Sequence, residues 1–354
     1  MQTARLVIFS FLIGFVSACA NFYSGPSAQS DEPAIATTEI DFTSLVRIPE
    51  VQSGFDIGFG FAVFSNGDIV ASGGWNTRGD HLYRWSRSDR TWHHIKLPST
   101  GGMNVGAKVF FKDSRNGWIF KDRDLLQSRD GGETWISVPL ESKSEITRSE
   151  AMTFIDSRVG FIGGTTGFMN RDTFEPERGI EILCTIDGGK QFHVCFKSKA
   201  HQNVFEILDL KQTNTVVALI DGNHLFATQN GGKDWTKKAL PKSAIAAAVD
   251  NESRIWIVGN TGTLLCSRDL GESWAKPNID LENASQVNWN SIAFSDKGVG
   301  IAVGNGGLFA ISENGQDWRI TKPERIDEDL YDIQIRGSYV AVRGKENLYS
   351  IRIR

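Results

Sequence analysis

Short apolar stretches with alternating polar positions recur from about residue 57 to the end of the chain. Two examples are AMTFIDSRVGFIGG at 151–164 and NSIAFSDKGVGIAVGNGGLFAISEN at 290–314. In each, a strand-length run is followed by a short polar turn, a second run and a glycine-rich turn. Alternation of this kind between turn residues is typical of β-strands. The pattern predicts an all-β chain built from units of four short antiparallel strands.

A turn-like motif ends most of these units. The aromatic residue that closes it recurs every 39 to 44 residues, apart from one interval of 57. This is the spacing of propeller blades. The six copies are SRSDRTW (86–92), SRDGGETW (128–135), TIDGGKQF (185–192), TQNGGKDW (228–235), SRDLGESW (267–274) and SENGQDW (312–318).

The chemistry of the motif is that of a turn. Ser128 and Asp130 can bond their own backbone, and Gly132 can adopt a positive φ that other residues resist. Trp135 then packs from the strand that follows. We therefore assign a structural role to these residues and to their counterparts in other copies, which are Trp235, Asp269, Trp274 and Trp318.

Six motifs imply six complete blades, yet residues 328–354 supply three further strands without a fourth. The segment FTSLVRIP at 42–49 is the candidate for the missing strand. An N-terminal strand would thus complete the last blade, and a closed ring has no open sheet edges. The sequence predicts seven blades, with six as the alternative, in one domain spanning 40–354.

The blade segments resemble the Asp-box (bacterial neuraminidase repeat, BNR) propellers of the photosystem II assembly-factor type. Blades of that type read F-x-D-x-x-x-G-x-x-V-G-x-x-G followed by the box motif. The resemblance covers nearly all of 57–354 and is strongest over 245–318. It implies the propeller fold, whereas the function stays open because this blade occurs in proteins of many roles.

The N terminus has the layout of a secretory signal, with Arg5, an apolar run from Leu6 to Val16 and then small residues. Residues 1–18 are the predicted signal peptide. The segment ending at Cys19 resembles a lipoprotein lipobox, which implies a lipidated cysteine followed by a flexible tether over 19–39. In such lipoproteins Ala20 favours passage to the outer membrane. Cleavage after Ala20 is the alternative and leaves a soluble periplasmic or secreted protein.

Charge and cysteine content narrow the picture further. The formal net charge is −4 and there is no basic run, so nothing supplies the phosphate neutralisation that nucleic-acid binding requires. Cys184 and Cys195 flank a predicted hairpin turn in an oxidising compartment, so we expect a disulfide between them. Cys266 is then unpaired, and we expect it to be a small buried residue on a strand.

Candidate binding residues lie on the face opposite the box turns, on loops between the second and third strands. An insertion at 163–180 accounts for the long repeat interval. Its aromatic and arginine residues suit a protein-binding patch, although a solvated loop folded over its own apolar residues is the alternative. The predicted binding residues are Arg78, His81, Phe168, Arg171, Phe174, Glu175, Arg178 and His224.

No catalytic or metal-binding constellation stands out. The segment Val46-Arg47-Ile48-Pro49 resembles the R-I-P motif of sialidases. That resemblance implies a substrate-binding Arg47 and an acid/base Asp80. The other two arginines and the Tyr–Glu pair of that family have no counterparts in the expected order. His93 and His94 point to opposite faces of a strand, and His81 and His224 have no evident metal-binding partner.

These features predict an exported lipoprotein whose propeller presents one face to a protein or glycan partner in the cell envelope. Its role would be to assist assembly, to inhibit a partner or to sense envelope state. A sialidase-like glycoside hydrolase is the alternative. We expect no cofactor, no metal, a monomer, and contact with a membrane only through the lipid anchor, on the periplasmic side of the outer membrane.

Overall fold

The computed structural model describes residues 40–49, 57–73, 81–98, 108–121, 124–140, 144–169, 176–198, 204–211, 213–280 and 286–354. Within this part, 28 strands form seven sheets. All of these strands belong to one compact unit, Thr38–Arg354. The predicted all-β, seven-bladed propeller is confirmed. The predicted signal peptide, Cys19 and the tether lie outside the described residues.

Each blade is a sheet whose first strand lies at the propeller axis. First strands of neighbouring blades contact one another around the ring, so together they line a central channel. Blade 1 contains β2 (Ile57–Val63), β3 (Ile69–Gly73), β4 (His81–Ser86) and β5 (Thr91–Lys96), and blade 2 contains β6 (Lys108–Phe111), β7 (Gly117–Lys121), β8 (Asp124–Ser128) and β9 (Ile136–Val138). Blade 3 contains β10 (Ile146–Phe154), β11 (Gly160–Met169), β12 (Pro176–Thr185) and β13 (His193–Ser198). Blade 4 contains β14 (Val204–Leu210), β15 (Thr215–Ile220), β16 (His224–Thr228) and β17 (Thr236–Ala239).

The remaining three blades are less uniform in strand number. Blade 5 has three strands, blade 6 has five, and blade 7 has three strands plus the N-terminal one. Blade 5 contains β18 (Ala246–Val249), β19 (Ile255–Val258) and β20 (Leu264–Ser267). Blade 6 contains β22 (Trp289–Phe294), β23 (Gly300–Gly304), β24 (Phe309–Ser312), β25 (Asp317–Thr321) and the added β21 (Asn278–Asp280). Blade 7 contains β26 (Leu330–Arg336), β27 (Tyr339–Gly344), β28 (Leu348–Ile353) and β1 (Ile40–Ile48).

The N-terminal strand closes the ring, as the sequence predicts. β1 pairs antiparallel with β28, and the pairs run from Ile40 opposite Ile353 to Ile48 opposite Leu348. Beyond β1, the Trp92 indole Nε1 donates a hydrogen bond of 2.7 Å to the Pro49 carbonyl, which ties blade 1 to the closing strand. The alternative of six blades is therefore wrong.

Blades 5 and 6 depart from the four-strand pattern at one crossing. After the box of blade 5, only Ala275 pairs with β20, through reciprocal backbone hydrogen bonds to Cys266 of 2.9 and 2.8 Å. Pro277, which cannot donate to a ladder, follows. The chain then leaves blade 5, and β21 pairs parallel with β25 of blade 6. Cys266 is consequently half-buried rather than buried, because little of an outer strand covers it.

The hydrophobic core lies between neighbouring blades. Every blade packs on both faces, so second strands read as nearly continuous apolar runs, and all six residues of β15 are buried. Tryptophans fill the widest spaces between sheets. Those with almost no exposure are Trp118, Trp256, Trp289 and Trp318.

Candidate functional site

The antiparallel order of each blade separates two faces of the propeller. Box turns and the turns between first and second strands share one face, as shown by backbone hydrogen bonds from Gly131 to Arg115 (2.9 Å) and from Gly188 to Arg158 (2.8 Å). We call this the box face. The turns between second and third strands lie at the opposite end of the same strands, and we call that end the loop face.

The box of blade 2 is a turn held by its own side chains. The Ser128 hydroxyl accepts a hydrogen bond from the Gly132 amide and donates one to Asp130, both 2.8 Å long. Asp130 accepts the Thr134 amide at 3.0 Å and the Thr134 hydroxyl at 2.5 Å. Gly132 has φ +93°, and its carbonyl accepts the Trp135 indole N–H at 3.0 Å. The Ser128 hydroxyl, the Asp130 carboxylate and the Trp135 indole N–H are thus all used within the turn.

The acidity of these carboxyls reflects the same bonds. Partial desolvation raises the pKa of Asp130, but hydrogen bonds from Thr134 and Ser128 outweigh it and lower the pKa to about 2. In blade 5, hydrogen bonds from Ser273 lower the pKa of Asp269 to about 2. Both groups are held as carboxylates, so they are turn acceptors that are unsuited to supply protons at neutral pH.

The hydroxyl-to-glycine hydrogen bond recurs in four other boxes. It joins the first residue of each motif to its last glycine. The pairs are Thr185 with Gly189 (3.0 Å), Thr228 with Gly232 (3.0 Å), Ser267 with Gly271 (2.8 Å) and Ser312 with Gly315 (2.8 Å). The Trp274 indole repeats the bond of Trp135, donating to the Gly271 carbonyl at 3.2 Å, whereas the indole nitrogens of Trp235 and Trp318 are buried without an acceptor.

Cys184 and Cys195 form a disulfide between β12 and β13, with Cα atoms 5.9 Å apart. The bridge lies under the box of the next blade. A Cβ built on Gly232 would be 2.7 Å from the Cys184 sulfur and 3.0 Å from the Cys195 sulfur. Only glycine therefore fits this position of the blade 4 box while the disulfide is in place.

The predicted loop at 163–180 is mostly a β-hairpin, so that expectation is corrected. β11 and β12 pair continuously up to Met169 opposite Pro176, well past the end of the blade. Uninterrupted pairing satisfies the backbone polar groups, which a solvated loop would leave to water. Phe168 and Arg178 are on the two strands. Arg171, Phe174 and Glu175 lie outside the described residues.

A buried carboxylate holds the base of this hairpin. Glu181 on β12 is 1% exposed, and its Oε2 accepts the Ser144 hydroxyl at 3.2 Å and the Glu145 amide at 3.0 Å. Lys197 on β13 places its ammonium 2.6 Å from the other Glu181 oxygen. The carboxylate thus ties the connection from blade 2 to the two outer strands of blade 3. Glu181 was not among the predicted site residues. Its position as an acidic residue inside the apolar run IEILC was a sequence signal for a buried carboxylate.

The other predicted binding residues do not form one cluster. His81 begins β4 in blade 1, and His224 begins β16 in blade 4. The His224 Nδ1 lies 3.0 Å from both carboxylate oxygens of Asp221 in the same turn, which fixes the ring locally. Arg78 lies outside the described residues. Within the described ranges, no group of three His, Cys, Asp or Glu residues is placed to hold a metal ion.

The placement of Arg47 corrects the sialidase interpretation. Arg47 is on β1, the outermost strand of blade 7, opposite Tyr349 of β28. Three strands separate β1 from the channel, so this guanidinium is remote from the axis. Asp80 lies outside the described residues. The resemblance at 46–49 therefore reflects a ring-closing strand in this protein.

The channel contains a charged group that the sequence analysis missed. Lys108, Glu206 and Asp332 are on the first strands of blades 2, 4 and 7, which meet only across the channel. Desolvation raises the pKa of Glu206 to about 7, Lys108 opposes this shift and Asp332 adds to it. The sequence offered one signal, an acidic residue within the apolar strand VFEILDL.

One strand at the channel is re-aimed by a bulge at its loop-face end. In β26 the pairing to β27 shifts between Leu330 and Asp332, so Tyr331 is an extra residue. Its ring is 39% exposed, and the Arg343 guanidinium stacks on it at 5.5 Å. The bulge is supported from blade 6 by Asn290, whose amide donates to the Leu330 carbonyl at 2.8 Å.

Fold and surfaces together define a seven-bladed propeller with hydrogen-bonded box turns on one face and an extended hairpin on the other. The resemblance inferred from the repeats is confirmed by a family model, described as photosynthesis system II assembly factor YCF48, which matches residues 242–312. The chain is similar to the photosystem II stability/assembly factor HCF136 of Cyanidioschyzon merolae. The two are 23% identical over an alignment of 321 residues, gaps included, and the match covers 70% of this chain and 71% of the relative.

A second curated relative is the photosystem II assembly lipoprotein Ycf48 of a Synechococcus species. It is 23% identical over 192 residues, which cover 48% of this chain and 57% of the relative. Among solved structures, YCF48 bound to a D1 peptide superposes with a TM-score of 0.63 at 16% identity, covering 88% of this chain and 96% of that one. At this identity the superposition establishes the shared fold.

In the ranges that the structure describes, no helix is long and apolar enough to cross a bilayer.

Proposed function

We propose that this protein is a non-catalytic binding propeller that holds a segment of a protein partner at its loop face while a larger complex is assembled. One observation carries the proposal, the hairpin β11–β12 that extends past its blade on the loop face. Elements that project from a rigid scaffold are suited to binding. In the described part of the chain, no hairpin extends in this way from the box face, and the serine and aspartate of the blade 2 motif are bonded within their own turn.

The relatives favour assembly over the roles of inhibitor or sensor. HCF136 and Ycf48 are named as assembly factors of photosystem II. YCF48 has been solved with a D1 peptide, so a propeller of this fold can hold a protein segment. The position of Arg47 at the outer rim gives no support to a sialidase.

The test removes the hairpin without cutting the blade. Thr166 is opposite Gly179, so replacing residues 167–178 with Asn-Gly closes the shortened strands by a two-residue turn. We expect labelled D1 peptide to bind the unmodified protein and to lose most of its affinity for the shortened one. Changing Phe168, Arg171, Phe174 and Arg178 together to alanine should have a similar effect.

The matched control lies on the other face. Asp130→Asn keeps the box acceptor and should leave peptide binding unchanged. Equal peptide binding by the shortened and unmodified proteins would refute the proposed role of the hairpin. Binding of a glycan array without any peptide binding would make a glycan the partner and reject the protein partner.

We further propose that the protein is exported and lipid-anchored through Cys19, facing the periplasm from the outer membrane. Support comes from the segment Val16–Cys19, from Ala20 after it, and from the relative named as a lipoprotein. Cys19→Ser should release the protein from membranes into the soluble fraction, and density-gradient separation should place the unmodified protein with the outer membrane. A mature chain that begins at Asn21 would contradict lipidation.

A further inference from the structure

The overhang of the hairpin has two strand edges that the blade does not cover. Pairing of β10 with β11 ends at Ile146 opposite Thr166, and pairing of β13 with β12 ends at Ile180 opposite Ser198. Beyond these points, residues 167–169 and 176–178 pair only with each other in the described part of the chain. We call these residues the overhang. A two-stranded ribbon of this kind presents unpaired N–H and C=O groups along both sides.

The chain before β10 does not run along the edge of β11. Ser144 and Glu145 instead bond to the buried Glu181 on β12, at 3.2 and 3.0 Å. The segment is thereby drawn toward β12. No strand in the described part of the chain continues β10 beside residues 167–169.

Strand alternation shows which backbone groups face each edge. On β11, the carbonyl of Thr165 accepts the Thr147 hydroxyl at 3.2 Å, and the carbonyl of Val159, just before the strand, accepts the Ile155 amide at 3.0 Å. Both point toward the β10 side. Because backbone groups alternate along an antiparallel strand, those of Gly167 and Met169 point to the same side, where no strand is described.

The second edge of the overhang, on β12, follows from the same alternation of backbone groups. On β12 the Ile182 carbonyl oxygen lies 3.4 Å from the Cys195 sulfur of β13 and therefore faces β13. Every second residue of β12 directs its backbone groups to the same side as Ile182. Arg178 and Pro176 therefore also face the β13 side. The outward groups of β12 in the overhang thus belong to a proline and a charged residue.

The two edges therefore differ in their chemistry. The β12 edge contains Pro176, which has no N–H, followed by Glu177 and Arg178, and proline and charges are the features that prevent strand addition. The β11 edge reads Gly167-Phe168-Met169, without charge or proline. A Cβ built on Gly167 would meet nothing closer than the Thr147 hydroxyl at 3.9 Å, so no described atom packs tightly against the face of the sheet at this residue.

We propose that the partner segment docks as an extended polypeptide strand on the β11 edge, through the backbone N–H and C=O groups of Gly167 and Met169. An uncharged, apolar segment matches this edge, since the edge offers alternating donors and acceptors at strand spacing and no charge. A glycan or a helix cannot reproduce that spacing. This inference rests on the proposed function and specifies how the hairpin takes its ligand.

The experiment uses the full chain and proline variants of two strand edges. Gly167→Pro removes an outward N–H while leaving the bonds between β11 and β12 in place. The matched control is Ala239→Pro, which removes an outward N–H from β17, the exposed outer strand of blade 4. The probe is an array of short overlapping peptides from exported proteins of the source cell, with D1 peptide included. Peptides captured by the unmodified protein should bind Gly167→Pro roughly tenfold or more weakly and Ala239→Pro within about twofold.

Hydrogen exchange supplies an independent readout. The amides of Gly167 and Met169 should exchange rapidly in the free protein and become protected when a captured peptide is added. Met169→Pro should weaken binding as Gly167→Pro does. Thermal melting of each variant with the disulfide intact establishes that the blade is folded.

The possible results separate the two proposals. Suppose that the Asn-Gly replacement loses peptide binding while Gly167→Pro and Met169→Pro both bind fully. This result would support the proposed function and overturn strand addition. Capture of no peptide by the unmodified protein would overturn both. Dimerisation of the protein that Gly167→Pro abolishes would identify a second copy as the occupant and reject a partner segment.

Discussion

Ile40 on the first strand of the propeller lies directly opposite Ile353 on the last strand. This pair joins segments that are remote in sequence and completes the seventh blade. Because β1 pairs along β28 and adds Ile40 and Leu45 to the core, the stability of the whole ring depends on a strand contributed from the other end of the domain.

The closing strand should contribute strongly to stability through its buried side chains. Leu45 on β1 is 7% exposed and packs in the core cluster shared by blades 6 and 7. We expect Leu45→Ala to lower the free energy of unfolding by about 2–5 kcal/mol, as other large-to-small core changes do. Urea denaturation measures this value. Arg354→Ala, which removes an exposed ion pair with Asp41, should leave the denaturation midpoint almost unchanged.

Asp130 should act as a turn acceptor and have no role in binding. Asp130→Ala removes its bonds with Thr134 and should cost about 1 kcal/mol of stability, as the loss of a capping side chain does. Asp130→Asn should be nearly neutral at pH 7, because Asn230 and Asn314 already occupy this position in two other boxes and accept the same backbone amides. Normal stability of the alanine variant with lost peptide binding would move the binding site to the box face.

The disulfide should stabilise blade 3 and the box that packs on it. Replacing Cys184 and Cys195 together by alanine should lower the free energy of unfolding by about 2–4 kcal/mol. The matched change, Cys266→Ser, should have a smaller effect, because Cys266 is half-buried and unbridged. Thiol labelling of the oxidised, delipidated protein checks the pairing. Burial raises the pKa of Cys266 to about 11, so that thiol should react slowly, and fast labelling of Cys184 or Cys195 would argue against the bridge.

Glu206 should make stability depend on pH near neutrality. Its pKa of about 7 in the folded protein is above the ordinary value of 4.5, so the folded state binds more protons than the unfolded state between these values. The free energy of unfolding should therefore fall as pH rises from about 4.5 to about 7. Burial also raises the pKa of Asp209, to about 6, so Glu206→Gln should remove the slope between about pH 6 and pH 7 and reduce it at lower pH. Urea midpoints across that range test it, and an unchanged slope in the variant would assign the dependence to another group.

Much of the fold could be predicted because its determinants are local. The bonds of Ser128 to Gly132 and of Asp130 to Thr134 span four residues, so a sequence motif specifies them directly. The disulfide also joins strands on either side of one turn. The hairpin could not be predicted in the same way, because glycines and charged residues at 163–180 are typical of loops, and only its pairing shows that they form strands.

By itself, therefore, the sequence determined the repeat and its turns, since each depends on residues close together in the chain, and it favoured seven blades over six. The pairing of the first strand with the last one decided between these two numbers. Only the tertiary structure decided that Arg47 lies at the outer rim and that Glu206 faces Lys108 and Asp332 across the channel. The physical reason is ring closure. A strand's distance from the axis, and the charges that meet across the axis, are set by how seven blades fit together, and no spacing within one blade encodes that arrangement.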